Sequence, residues 1–141
     1  YLKSEECLQQ NYRLQAKYRE IEKNEVICET IDCDDAEIVL TAYGSVGRIC
    51  KSALPILRQK GVKVGLIRPT TLFPFATKVF EEVANKPNVK SFLTVELSAG
   101  QYNEDVRLAV NGKKPIDLLS RMGGEVMSAE DIVEKVMEVI K

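Results

Sequence analysis

The spacing of hydrophobic positions changes several times along this chain. Over residues 4–24, Cys7, Leu14, Tyr18 and Ile21 recur at helical intervals among Glu, Gln, Arg and Lys, which predicts a charged helix with a thin apolar stripe. Such a stripe must pack on something for the helix to be stable. Asn24 closes this helix. Residues 26–31 then alternate with Glu25 and Glu29 as a short strand, followed by the polar loop Asp32-Cys33-Asp34-Asp35. Residues 37–43 (EIVLTAY) are nearly continuously apolar, the mark of a strand buried on both faces of a parallel sheet.

Gly44-Ser45-Val46-Gly47 turns into a helical pattern with Ile49, Cys50, Ala53, Ile56 and Leu57 on one side, ending at Gly61. Pro55 sits inside it. A mid-helix proline costs about 3 kcal/mol and deletes a backbone bond, so a kink or break is expected there. Residues 62–68 (VKVGLIR) read as the next strand, stopped by Pro69. A loop over 70–75 leads to a helix around 76–84 with Val79, Phe80 and Val83 inward. Residues 91–96 (SFLTVE) form a third buried strand, followed by a loop over 97–101 and a helix near 102–110 carrying Val106, Ala109 and Val110. Residues 116–119 give a short final strand, and Gly123-Gly124 ends it. The last helix opens with Ser128 and Asp131, one acidic residue short of a capping box, and buries Val133, Val136, Met137 and Ile140.

Strands alternating with helices predict an open, mostly parallel sheet with helices on both faces, a three-layer α/β architecture. The strand at 26–31 has no crossover helix before the next one, so it should run antiparallel, at an edge. No internal repeat and no low-complexity linker occurs. The expected organisation is a helical arm over 1–24 and one α/β domain over 25–141.

Composition narrows the function classes. The chain has 141 residues, 45% of them hydrophobic and 29% charged, which suits a soluble globular domain. Lys and Arg number 20 against 21 Asp and Glu, a formal net charge of −1, so there is no electrostatic case for nucleic acid or an anionic membrane. No apolar run approaches the roughly 18–20 residues that cross a bilayer, and a cytoplasmic location is expected. There is no His, which removes the commonest acid–base group near neutrality and the commonest nitrogen ligand for metals. The first residue is Tyr1 rather than Met, and residues 1–4 lack the basic-then-apolar layout of a signal peptide, so the sequence fits either a piece of a longer polypeptide or a processed chain.

The four cysteines, Cys7, Cys28, Cys33 and Cys50, contain no C-x-x-C pair, and their spacing offers neither a zinc site nor clustered thiolates for an iron–sulfur centre. Cys28 and Cys50 lie in apolar segments, where a thiol behaves as a small hydrophobe. Reduced structural thiols are the expectation.

Candidate chemistry gathers where strands end. Gly44, Ser45, Val46 and Gly47 open a helix at a strand's carboxyl end, the place where such folds hold anions on free N–H groups. The run lacks the G-x-G-x-x-G spacing and the G-K-[ST] of a P-loop, which favours a tight turn in which glycine avoids a clash. Glu96 ends a buried strand; it could act as an acid–base group, cap the next helix or pair across an interface. Arg68 occupies the same edge and could bind an anion or pair with Glu96. Nothing assembles a nucleophile, a base and an orienting group, and no catalytic or metal-binding residue is expected.

Three blocks taken together, residues 37–53 (EIVLTAYGSVGRICKSA), 62–75 (VKVGLIRPTTLFPF) and 95–115 (VELSAGQYNEDVRLAVNGKKP), closing with Arg121-Met122-Gly123-Gly124, give a resemblance. The chain resembles the α subunit of thiamine-diphosphate-dependent 2-oxoacid:ferredoxin oxidoreductases, most closely the 2-ketoisovalerate type, and residues 11–26 are similar to that subunit's interdomain connector. The resemblance implies a transketolase C-terminal-like domain with a five-stranded sheet in the order 1-3-2-4-5, strand 1 antiparallel. It implies membership of a complex that oxidatively decarboxylates a 2-oxoacid to an acyl-CoA with ferredoxin as acceptor. The cofactors of that complex are thiamine diphosphate, Mg²⁺, iron–sulfur clusters and CoA, and none is expected on this fragment. Its expected partners are a pyrimidine-binding domain of the same subunit, a thiamine-binding subunit and a ferredoxin-like subunit. Glu96 matches the family's acid, and Gly100 and Gln101 its following G-Q; with Arg68 they are expected as interface or loop-organising positions. Ala76 departs from the family, which often has a further proline after the position of Phe75. Two alternatives stand beside this reading: the equivalent domain of a transketolase or 2-oxoacid dehydrogenase, and a stand-alone anion-binding module built on residues 44–47.

Overall fold

The computed structural model describes residues 3–141. Its elements follow in the order α1 (Ser4–Asn24), β1 (Cys28–Ile31), β2 (Ile38–Thr41), α2 (Gly44–Gln59), β3 (Val64–Pro69), α3 (Thr77–Ala84), β4 (Ser91–Glu96), α4 (Gln101–Val110), β5 (Ile116–Ser120) and α5 (Ala129–Val139). The strand order is β1-β3-β2-β4-β5, as expected. β1 runs antiparallel to β3, with Glu29 opposite Arg68. β2 pairs parallel with both β3 and β4, and β5 lies parallel to β4 on the far side.

Burial follows the apolar runs. Every residue of β2 is buried, as a central parallel strand covered on both faces requires. Alternate side chains point to opposite faces. Ile38, Leu40, Leu66, Leu93 and Val95 pack under α2 and α5 with Cys50, Leu57, Ile132 and Val136. Val39, Ile67 and Phe92 pack under α3 and α4 with Phe80, Tyr102, Val106 and Val110. The stacked rings of Phe75 and Phe80, with centroids 5.3 Å apart, extend this second layer.

Several expectations change in detail. The first strand begins at Cys28 instead of residue 26, because only residues 28–31 find partners on β3. Residues 44–47 are the first turn of α2 itself rather than a loop before it. α2 passes through Pro55 without a break. Pro55 is exposed, so the carbonyl one turn earlier that loses its donor lies on the solvent side, where water replaces the bond. At the start of α5 the capping box is complete, since the short aspartate suffices: Ser128 Oγ accepts from Asp131 N at 3.1 Å, and Asp131 Oδ2 accepts from Ser128 N at 2.7 Å. Val133 and Val136 are buried, but Met137 and Val79 are only half-buried and Ile140 is exposed at the C-cap of α5.

Ionic ties hold loops to helices. Arg58 on α2 donates to the carbonyls of Val64 and Asp32 at 2.8 and 3.0 Å and to both carboxylate oxygens of Asp35. α1 stands apart. None of its residues is buried, and its aromatic contact with the rest of the chain is Tyr18 set edge-on to Phe73, centroids 6.1 Å apart. The first two residues of the expected arm lie outside the described residues.

Candidate functional site

The carboxyl ends of β2, β3, β4 and β5 meet along one edge of the sheet, and antiparallel β1 begins there. This is the edge where open α/β sheets place their ligands. Gly44, Ser45, Val46, Gly47, Arg68, Glu96, Gly100 and Gln101 all fall on it, but they do not converge on one point.

Arg68 does not reach Glu96. The register of the β1–β3 pair sets it beside Glu29 instead, and Nη1 donates to Glu29 Oε2 at 3.3 Å. Lys51 of α2 donates to the other oxygen, Oε1, at 2.7 Å. The hydrogen bond from Lys51, with Arg68 adding to it, holds the Glu29 carboxyl below its ordinary value of 4.5. The aliphatic stem of Arg68 crosses the first turn of α2 at Gly47, and its Nε is shut off from solvent with no partner among the described residues. The side chain therefore covers part of the turn that an anion would need. Glu29 and Lys51 did not figure among the candidate residues; the signal that finds them is the antiparallel edge register.

Glu96 is 1% exposed. Its Oε1 accepts from Gly100 N at 2.8 Å and from the Ser98 hydroxyl, and Oε2 accepts from Asn103 N at 2.8 Å. Gly100 is the residue before α4 and has no side chain to cap it, so a carboxylate from the preceding strand takes that place at the positive end of the helix. Gly100 adopts φ +104°, a conformation that favours glycine, and this lets the chain turn tightly enough to present its N–H to Glu96. The main chain of Glu96 also accepts from Arg121 N at 3.1 Å, which ties the loop after β4 to the loop after β5. Arg121 in turn donates to Asp131 at 2.8 Å. Gln101 is exposed, and its side chain makes no hydrogen bond among the described residues.

Beneath this edge Thr41 and Tyr102 are both buried and share a hydroxyl–hydroxyl hydrogen bond. Burial pushes the Tyr102 phenol far above its ordinary value of 10.0. Burial also raises the Cys28 thiol to about 11 and the Cys50 thiol to about 12, and it raises Cys33. Such thiols are protonated near neutrality and poor nucleophiles.

The magnesium ion and diphosphate that the resemblance attaches to the whole complex do not fit this edge. The first turn of α2 carries no acidic residue to hold a magnesium ion beside a diphosphate, and both oxygens of Glu96 already accept from the α4 turn. Among the described residues no three Cys, Asp or Glu side chains converge as a metal-binding group, and no helix is long and apolar enough to cross a membrane.

A parallel sheet with one antiparallel edge strand, two helices on each face and a carboxyl edge occupied by internal caps defines a three-layer domain of the transketolase C-terminal kind. Solved structures agree on the fold. A 2-oxoglutarate:ferredoxin oxidoreductase from Magnetococcus marinus superposes on the whole chain with a TM-score of 0.85 at 19% identity, this chain covering 24% of that one. A split-gene transketolase in an inactive β4 tetramer superposes on 78% of the chain at a TM-score of 0.64 and 15% identity, covering 40% of that chain.

Residues 36–132 match the pyruvate:ferredoxin oxidoreductase core domain II, and the chain belongs to that family. It is 43% identical over 139 residues to the ketoisovalerate oxidoreductase subunit VorB of Methanothermobacter thermautotrophicus, a match that covers 99% of this chain and 39% of that protein. The chain thus spans about two fifths of the length of these ketoisovalerate oxidoreductase subunits.

Proposed function

We propose that this chain is the supporting α/β domain of the α subunit of a 2-oxoacid:ferredoxin oxidoreductase that acts on 2-ketoisovalerate. The observation that carries this reading is the 43% identity to subunit VorB, sustained from α1 through α5. The domain contributes architecture. Glu96 and Arg68 spend their charged groups on internal bonds, which supports placing decarboxylation, thiamine diphosphate with Mg²⁺, the iron–sulfur clusters and CoA in other parts of a cytoplasmic complex. Those parts are a pyrimidine-binding domain of the same subunit and separate thiamine-binding and ferredoxin-like subunits. Within residues 25–141, Glu96 and Gly100 organise the loop after β4, and Arg68 fixes the start of α2 against the edge strand. The exposed, unbonded Gln101 faces a neighbouring domain, and residues 1–24 act as the arm that joins the two.

The test is turnover. The assembled enzyme should reduce ferredoxin when given 2-ketoisovalerate and CoA, and the 141-residue chain alone should not. Turnover by the chain alone, or an assembled enzyme inert toward 2-oxoacids, overturns the reading.

A further inference from the structure

The large apolar side chains that remain exposed are not spread evenly. Ile27, Leu72, Phe73, Leu97, Met122 and Val126 are between 39% and 67% exposed. Each belongs to a segment that enters or leaves the sheet at the carboxyl edge: Ile27 before β1, Leu72 and Phe73 after β3, Leu97 after β4, Met122 and Val126 after β5. Exposed apolar side chains gathered on the loops of one sheet edge mark an interaction site. The loops that carry it are held in place rather than loose. Glu96 pins residues 98–103 and, through its main chain, Arg121. A surface pre-organised by a buried carboxylate loses less entropy when something docks on it.

α1 continues the same surface. Cys7, Leu14, Tyr18 and Ile21 fall within one narrow arc at 100° per residue, and none of them is buried. At its carboxyl end that arc meets the edge directly, where Tyr18 packs on Phe73. Beyond the Tyr18–Phe73 contact the stripe has no buried residue, and a helix draws most of its stability from packing such a face. One body seated in the angle between α1 and the edge would cover both.

We infer that α1 and the carboxyl edge form the two walls of one docking site, and that its occupant is a further domain of the same polypeptide. This rests on the supporting-domain reading. The relatives hold about three fifths of their length outside the matched region, enough for another folded domain in the same chain. A domain joined to the amino end of α1 is tethered roughly 30 Å along the helix from the edge it would cover, about the diameter of a small domain. Tethering makes its effective concentration far higher than that of a separate subunit.

Site-specific labelling of the full-length subunit in its assembled enzyme tests this. Native Cys7, and a cysteine introduced by Met122→Cys in a Cys7→Ser background, should react with a maleimide about tenfold more slowly than Glu134→Cys on the solvent face of α5. A photoreactive benzoylphenylalanine replacing Phe73 should crosslink within one polypeptide, to a peptide outside these 141 residues. Met122→Cys labelling as fast as Glu134→Cys overturns the inference, and so does a crosslink to a separate subunit or to a second copy. The functional reading fails separately. An enzyme active on 2-ketoisovalerate with a freely reactive edge sinks only the docking site, whereas a protected edge in an assembly inert to 2-oxoacids sinks only the activity.

Discussion

Arg68 lies so close over Gly47 that a Cβ at position 47 would stand 2.7 Å from Nε and 2.9 Å from Cδ. Alanine normally stabilises a helix by about 1 kcal/mol relative to glycine. Here it should do the opposite. Gly47→Ala must push the arginine stem aside and break its bond to Glu29, a net loss of about 1–3 kcal/mol. In an Arg68→Ala background the obstruction is gone, and Gly47→Ala should be neutral or stabilising. Urea unfolding of the four proteins in this cycle decides the matter, and an equal cost in both backgrounds would show that the contact does not matter.

The Glu96 carboxylate accepts three bonds in a buried site, so an amide there presents a donor where a donor already stands. Glu96→Gln should cost about 2–3 kcal/mol. The amides of Gly100 and Asn103 should exchange with solvent faster than in the parent, while those of α2 do not change. Unaltered exchange at those two amides would remove the capping role.

Thiol chemistry separates Cys7 from the rest. Cys7 is exposed, whereas burial holds Cys28, Cys33 and Cys50 protonated. In the 141-residue chain, an aromatic disulfide reagent at pH 8 should titrate one thiol quickly and the other three only after denaturation. The same raised values act on stability. A thiol whose folded value exceeds its unfolded value of 9.0 contributes fully below pH 9, and that contribution is lost as the pH rises toward about 11 and 12. Thermal midpoints should therefore fall above pH 9, and Cys50→Ala should lessen the fall.

The acid limb has the reverse sign. Hydrogen bonds from Lys51, Arg58 and Lys90 lower Glu29, Asp35 and Glu37 respectively, and the Ser128 backbone bond lowers Asp131. Depressed carboxyls stabilise the fold above their ordinary values of 4.5 and 3.8, and the gain disappears as the pH falls through the depressed values. Thermal midpoints should be level from about pH 5 to neutrality and drop below pH 4. Asp35→Asn, which removes the partner of Arg58, should lower the plateau and flatten the drop; an unchanged curve would show that the Arg58 pair carries no pH dependence.

Regular elements were legible where burial left no ambiguity. The bounds of residues 91–96 agree with β4, where apolar Phe92, Leu93 and Val95 mark a strand covered on both faces. The antiparallel placement of β1 followed from the missing crossover, and the full strand order from the family resemblance. Pro55 misled because its cost depends on which way the freed carbonyl faces, and sequence alone does not place that carbonyl in water. The partner of Arg68 was missed for a related reason. Its choice of Glu29 over Glu96 depends on the register between strands some forty residues apart, and on the α4 turn having already taken both oxygens of Glu96. The sequence marks the edge as a place of interest; what its side chains bond to depends on contacts between residues far apart in the chain.

At roughly 1.5 Å per residue, the span of α1 from Ser4 to the edge-on contact of Tyr18 with Phe73 is about 21 Å. That geometry makes it a lever. A tilt of only about 5° at the contact carries the far end through nearly 2 Å, on the order of a third of a helical turn. A small repacking of one aromatic pair is thus magnified into a displacement of whatever is attached to the far end of the helix.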